Sequence, residues 1–213
     1  MSHLAAFDAA FKRLPLVAIL RGMRPDEAEA IGDALVEAGF AIVEVPLNSP
    51  EPLDSIALMA RRLEGRAVVG AGTVLSPDAV VRVEEAGGTV IISPNADSRV
   101  IGEAAARGLV SLPGVATPTE AFAALGAGAT AIKLFPAEGA DPAVLKAMRA
   151  VLPPATRVLP VGGIAPDNMV PWIAAGAAGF GIGSALYKPG RSATEVGDNA
   201  RRFTEAWRAA ASG

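Results

Sequence analysis

Eight short aliphatic segments recur along this sequence, and a turn and a stretch of helical periodicity follow each of them. The segments are residues 16–20, 41–45, 67–69, 90–92, 109–112, 131–135, 158–161 and 179–182. Several are apolar on both alternating faces, as strands buried within a parallel sheet must be. Such a regular alternation of strands and helices predicts parallel βαβ units.

Helix signals occupy the intervals between these segments. Proline with acidic residues opens several of them, as at Pro25-Asp26 and Pro77-Asp78, and glycines such as Gly39 end them. An open dinucleotide-binding sheet would need a Gly-x-Gly-x-x-Gly turn after the first strand, and residues 20–24 do not supply it. We therefore expect an α/β fold, a (β/α)8 TIM barrel formed by one domain over residues 1–213, with an extra N-terminal helix near residues 4–13.

The composition argues against several functional classes. The 213 residues include no cysteine and a single histidine, His3, so we expect neither a metal site nor histidine-dependent catalysis. We find no apolar run near the ~18 residues of a membrane span and no secretory signal. The formal charge of -3 gives no indication of a surface that binds nucleic acid. We expect a cytoplasmic protein without a cofactor. The charged fraction of only 19% predicts a buried subunit interface.

Lysine is scarce in this chain, and one lysine has an unusual setting. Lys133 lies within an aliphatic segment, whereas Lys12, Lys146 and Lys188 lie in polar, helical or turn contexts. Burial lowers the pKa of an amine, and a neutral amine can attack a carbonyl group and form a Schiff base. A lysine that reaches solvent past the strand end, or that closes an ion pair, would have the same sequence pattern.

Two further charged residues interrupt apolar strands at the end where barrel active sites form. Glu44 lies within the second strand, where it could act as a general acid or base or pair with a nearby cation. Arg21 ends the first strand, where its guanidinium suits a carboxylate or phosphate of a substrate, or an ion pair at the rim.

Glycine-rich turns follow the last two predicted strands. Gly162-Gly163 follows the seventh strand and Gly183-Ser184 follows the eighth, at the two loops that bind phosphate in many barrels. Gly72-Thr73, after the third strand, could likewise present N–H groups and a hydroxyl to an anion. Together these turns indicate a substrate with a carbonyl, a phosphate and a carboxylate group.

With these residues in place, the sequence resembles the 2-keto-3-deoxy-6-phosphogluconate/galactonate aldolase family. The resemblance rests on six motifs in order: PLVAILRG (15–22), VEVPLNS (43–49), GAGTVL (70–75), ISPN (92–95), IKLFPA (132–137) and VGG (161–163). It implies a metal-independent class I lyase in which Lys133 forms a Schiff base with the 2-keto group and Glu44 transfers the proton. It further implies that Gly72 and Thr73 receive the pyruvate carboxylate and that Pro94 and Phe135 line the pyruvate site. Gly162, Gly163, Gly183 and Ser184 would bind the 6-phosphate.

The resemblance also bears on the substrate epimer and on the assembly. Gluconate-specific members typically carry Thr-Leu-Arg-Thr after the strand-two glutamate and Thr-Gly-Gly after strand seven, whereas this chain has residues 46–49 as PLNS and Val161 before the glycines. These departures, with Arg21, resemble the galactonate-specific members. We expect cleavage of the phosphorylated galactonate derivative to pyruvate and glyceraldehyde 3-phosphate by a homotrimer. Gluconate or dual specificity, and a phosphate-binding barrel isomerase or synthase without a Schiff base, remain alternatives.

Overall fold

The computed structural model describes residues 2–211, in which short parallel strands alternate with helices. The strands are β1 (Leu16–Ile19), β2 (Ile42–Pro46), β3 (Val68–Gly72), β4 (Val90–Ile92), β5 (Val110–Leu112), β6 (Gly114–Val115), β7 (Ile132–Leu134), β8 (Val158–Pro160) and β9 (Phe180–Ile182). The helices are α1 (His3–Arg13), α2 (Pro25–Glu37), α3 (Pro52–Arg62), α4 (Pro77–Glu85), α5 (Ser98–Ala106), α6 (Pro118–Gly126), α7 (Pro142–Arg149), α8 (Met169–Ala174) and α9 (Ala193–Ala211).

The strands form a curled parallel sheet of six strands and a smaller sheet of three. The first has the order β5-β4-β3-β2-β1-β9 and the second the order β6-β7-β8, and every strand pair is parallel. The two sheets adjoin at both edges, because only Pro113 separates β5 from β6 and an isolated parallel bridge joins Val161 to Gly181. This arrangement agrees with the α/β expectation and brings the carboxyl ends of the strands to one side.

Pro113 accounts for a difference between the expected and observed strands. The sequence predicts one strand over residues 109–112, whereas the chain continues beyond the proline as the two-residue strand β6. A proline has no backbone N–H to donate to a ladder, so it interrupts the strand. Its carbonyl still accepts a hydrogen bond from the Lys133 N–H at 2.9 Å, which fixes the register of the lysine strand.

The helix start signals agree with the structure at most positions. Prolines 25, 77, 118 and 142 open α-helices, and Thr117 and Glu120 form a reciprocal capping box before α6. Pro166 differs, since it opens a 3-10 turn over Pro166–Asn168 that leads into α8. None of the helices in residues 2–211 has both the length and the apolar composition needed to cross a membrane.

Helix α1 covers the amino ends of the strands. Phe7 and Ala10 of this helix are buried in one apolar cluster with inward-facing strand residues, among them Val17, Ile42 and Leu159. A second and larger cluster lies between the strands and the outer helices. Because α1 closes the amino-terminal side, the carboxyl ends of the strands are the side at which polar groups can meet a small molecule.

Candidate functional site

Glu44 lies on β2 with its side chain inside the sheet enclosure. Its strand pairs with β1 and β3, and only 2% of the residue is exposed. Burial raises the pKa of the carboxyl group to about 7, against the opposing effects of Lys133, Arg21 and the Gly72 backbone N–H. Oxygen Oε2 has no hydrogen-bond partner. A buried carboxyl group with such a pKa and a free oxygen can take up and release a proton near neutral pH.

Gly72 makes the position of the Glu44 carboxylate possible. A Cβ built on Gly72, the last residue of β3, would collide with both oxygens and the carboxyl carbon of Glu44. The sequence predicts Gly72 as part of an anion-binding turn, and its contact with Glu44 is an additional feature that the structure reveals.

Lys133 occupies the centre of β7, with 8% of the residue exposed. Its Nζ atom lies 4.7 Å from the centre of the Phe135 ring. Burial lowers the pKa of the ammonium group, and the positive charge of Arg21 lowers it further, while Glu44 opposes both. The structure therefore places the lysine, the glutamate and the arginine within one another's electrostatic field, and it favours a neutral amine more than solvent would.

Arg21 follows β1 and is exposed, and its orientation depends on Asn48. The Arg21 Nη1 atom donates a hydrogen bond of 2.7 Å to the Asn48 Oδ1 atom, in the loop after β2. The same two loops are joined a second time, because the Gly22 N–H donates to the buried Ser49 Oγ at 2.9 Å. Sequence reasoning used residues 46–49 only to judge the substrate epimer and did not single out Asn48 as a partner of Arg21.

Thr73 adopts an unusual backbone conformation at the end of β3. Its φ of 58° lies in the left-handed region, which is uncommon for a threonine. Neighbouring hydrogen bonds maintain the turn, since the Val74 N–H donates to Ile92 and the buried Ser93 hydroxyl donates to the Val74 carbonyl at 2.7 Å. These bonds join the turn at Thr73 to the end of β4 and the segment that leads to the half-buried Pro94.

The two predicted phosphate loops are neighbours at the junction of the sheets. Val161 is buried, its N–H donates to the Leu134 carbonyl at 3.0 Å, and its bridge to Gly181 places the β8 and β9 loops side by side. Gly162 and Gly163 have φ values of 110° and 66°, which favour glycine. Gly183 and Ser184 follow β9 directly, and Ser184 is exposed.

Two side chains that sequence reasoning did not select flank these loops. Glu138 lies over the first loop, where a Cβ on Gly163 would approach its Cγ to 2.6 Å. Arg191 contacts the second loop, because its Nη1 atom donates to the carbonyls of Ser184 at 3.2 Å and Ala185 at 3.1 Å. No sequence motif marks either residue. Glu138 contacts a turn that is distant in sequence, and Arg191 binds backbone carbonyls, which any residue type carries.

All of the predicted site residues lie within a strand near its carboxyl end or in the loop that follows. The structure brings Arg21, Glu44, Gly72, Phe135 and Lys133 into one interacting group. The β8 and β9 loops form a neighbouring group of backbone segments. Such an arrangement can hold a carbonyl compound against the lysine and an anionic group against the loops.

A comparison with protein families matches residues 7–201 of this chain to the family described as KDPG and KHG aldolase. The chain is 46% identical over 198 residues to the 2-dehydro-3-deoxy-6-phosphogalactonate aldolase of Escherichia coli strain K12, covering 93% of this chain and 97% of that protein. These similarities extend over the strands and loops that carry the predicted site.

Solved structures give a consistent result. The structure titled native KDPGal superposes with a TM-score of 0.93 at 46% identity, covering 94% of this chain and 98% of the other. The KDPG aldolase of Legionella pneumophila, solved with pyruvate captured as a covalent carbinolamine intermediate, superposes with a TM-score of 0.78 at 27% identity, covering 95% and 96%. The fold is therefore shared across nearly the whole length of both structures.

Proposed function

We propose, because this chain belongs to the KDPG and KHG aldolase family, that it is a class I aldolase acting on 2-dehydro-3-deoxy-6-phosphogalactonate. The products would be pyruvate and D-glyceraldehyde 3-phosphate. One observation carries the proposal most directly: the buried Lys133 amine lies in the field of a buried carboxyl group whose pKa is about 7. Family membership favours this reaction over an isomerase or synthase reaction, in which Lys133 would be only an electrostatic group.

Lys133 would supply the nucleophile. The neutral amine adds to the 2-keto carbon of the substrate, and loss of water from the carbinolamine gives an iminium ion. Burial of Lys133 supports this step, because it raises the fraction of amine without a proton. The covalent carbinolamine in the Legionella pneumophila relative supports the same chemistry on this lysine.

Glu44 would move the proton. As a carboxylate, directly or through a water molecule, it takes the proton of the C4 hydroxyl group while the C3–C4 bond breaks. The bonding electrons pass into the iminium, which becomes an enamine, and glyceraldehyde 3-phosphate leaves as the aldehyde. Protonation of the enamine at C3 and hydrolysis of the resulting imine then release pyruvate and restore Lys133. The unpartnered Oε2 and the raised pKa of Glu44 support this role.

The remaining predicted residues would hold the two ends of the substrate. Gly72 and Thr73 would receive the carboxylate, and Pro94 and Phe135 would line the apolar part of the pyruvate site. Backbone N–H groups of Gly162, Gly163, Gly183 and Ser184 would bind the 6-phosphate, with Arg21 nearby as a cation for an anionic group. The positive φ values of Gly162 and Gly163 support a loop that exposes its backbone.

Val161 supports the galactonate derivative as substrate. A threonine here could donate a hydrogen bond to the C4 hydroxyl group of one epimer, whereas a valine cannot. Val161 is also buried against Gly181, at the junction of the β8 and β9 loops. The alternative is the gluconate derivative, or activity on both. The ratio of kcat/KM for the two phosphorylated keto-deoxy acids distinguishes these alternatives. A strong preference for the gluconate derivative would overturn the galactonate assignment.

We extend the proposal to the closure of the sheet and to the assembly. The β5–β6 continuity and the Val161–Gly181 bridge support one closed (β/α)8 barrel. Exposed apolar residues on three successive outer helices, Phe122 on α6, Val144 on α7 and Val170 on α8, support a homotrimer. We place this trimer in the cytoplasm. Light scattering coupled to gel filtration tests the assembly, and a monomer across micromolar concentrations would refute it.

A further inference from the structure

Arg191 holds the loop after β9 through backbone carbonyl groups. Its guanidinium Nη1 donates to the carbonyl oxygens of Ser184 and Ala185, at 3.2 and 3.1 Å. The loop is tied internally as well, because the N–H groups of Leu186 and Tyr187 both donate to the Gly183 carbonyl. The carbonyls of three consecutive residues, Gly183 to Ala185, are therefore all engaged.

The same loop leaves backbone donors unused. The hydrogen bonds found within residues 2–211 include none donated by the N–H of Ser184 or Ala185. In a trans peptide the carbonyl of one residue points opposite to the N–H of the next residue. The Ser184 carbonyl, held by Arg191, therefore fixes the Ala185 N–H, and the Gly183 carbonyl, held within the loop, fixes the Ser184 N–H. Successive unpaired N–H groups form an anion-binding concavity, so the loop has donors for a phosphate and a cation that orients one of them.

We propose that Arg191 is the positioning residue of the phosphate site. Through the Ser184 carbonyl it would fix the peptide that carries the Ala185 N–H, so that this N–H meets the 6-phosphate beside the Ser184 N–H. Its charge would also favour the dianion. The inference rests on the proposed function and deepens it by naming a residue that determines phosphate specificity. Hydrogen bonds from the Ser192 hydroxyl and N–H lower the pKa of the Glu195 carboxyl group, and the charge of Arg191 lowers it further, so Glu195 balances part of the arginine charge.

The substitution Arg191→Gln tests the proposal, because it removes the charge and shortens the side chain that reaches the two carbonyls. We expect KM for the phosphorylated substrate to rise on the order of tenfold, the size of a lost charge-assisted hydrogen bond, with kcat within about twofold. Turnover of the unphosphorylated 2-dehydro-3-deoxygalactonate should be unchanged. Arg191→Lys, which keeps the charge on a shorter side chain without the planar guanidinium, should give an intermediate KM. Arg202→Gln is the matched control, since Arg202 is an exposed arginine of α9.

Two results would overturn the assignment. One is an unchanged KM for the phosphorylated substrate in Arg191→Gln, and the other is an equal loss on phosphorylated and unphosphorylated substrates, which would indicate a general structural role. If Arg191→Gln does not fold, an unchanged KM in Arg191→Lys serves as the contradicting result. Failure of the proposed function is separable, because borohydride trapping of pyruvate would then fail in the unmodified enzyme as well as in the variants.

Discussion

The carboxylate of Glu44 fills the space that a side chain on Gly72 would occupy. This relationship joins β2 to β3 at the point where both strands end, and it explains why a strand residue beside the candidate base is a glycine. The Gly72 backbone N–H also favours the charged carboxylate, while burial favours its protonated form. The pKa of Glu44 therefore depends on its burial and also on the Gly72 N–H of the neighbouring strand.

Substituting Gly72 by alanine should displace the Glu44 side chain. We expect kcat to fall about a hundredfold, since a misplacement of about 1 Å in a catalytic group costs that much. Steady-state kinetics measures the loss. Gly102→Ala is the matched control, because a Cβ there meets nothing within 4 Å and the residue lies in helix α5. Near-normal turnover in Gly72→Ala would contradict the proposed role of this contact.

The pKa of Glu44 predicts the pH dependence of the reaction. The proposed base is active when deprotonated, so kcat should fall as the pH decreases through about 7, the pKa to which burial raises this group. Glu44→Gln should lose this acidic limb together with most of its turnover, yet still form the pyruvate adduct on Lys133. A rate profile that is flat between pH 5 and 8 in the unmodified enzyme would count against Glu44 as the base.

The Gly162–Gly163 turn should tolerate a side chain poorly. Alanine at position 163 would take φ of 66° and approach the Glu138 Cγ atom to 2.6 Å, so we expect a raised KM for the phosphorylated substrate and a lower melting temperature. Glu138→Ala in the same chain should restore part of both losses, because it removes the overlap but leaves the backbone strain. A double-mutant cycle measures the coupling. Strict additivity would mean that Glu138 does not restrict this turn.

Val161→Thr should shift the substrate preference. A hydroxyl group at this position adds one hydrogen-bond donor at the proposed C4 hydroxyl of the gluconate epimer, which corresponds to about a tenfold change in the kcat/KM ratio. The ratio of the two epimers measured on both proteins checks this, and Val161→Ala is the control for the altered volume. An unchanged ratio would place the specificity elsewhere, with the Arg21–Asn48 pair as the next group to test.

The sequence predicts the parts of this molecule that depend on a local pattern. Lys133 and Glu44 stand out because a charged residue inside an aliphatic strand is unusual, and the parallel strands follow from the alternation of apolar segments and capped helices. The structure differs from these predictions at two prolines. Pro113 interrupts a strand, and Pro166 opens a 3-10 turn where the pattern predicts the start of an α-helix.

Contacts between distant segments could not be predicted in the same way. Glu138 acts on a turn that lies one strand later in the chain. Arg191 is closer to its partners in sequence, but they are backbone carbonyls, which carry no residue signature. Asn48 orients Arg21 across two loops. Such contacts involve backbone atoms or exposed side chains, which leave no periodicity or residue pattern in a single sequence.

Trapping of pyruvate on Lys133 is the direct test of the Schiff-base mechanism. The enzyme is incubated with pyruvate, reduced with borohydride, digested, and its peptides are weighed and fragmented by mass spectrometry. We expect one pyruvyl adduct on Lys133, its absence in Lys133→Ala, and no adduct on Lys146, an ordinary helical lysine. No adduct in the unmodified enzyme, or an adduct on another lysine in place of Lys133, would contradict the Schiff-base mechanism.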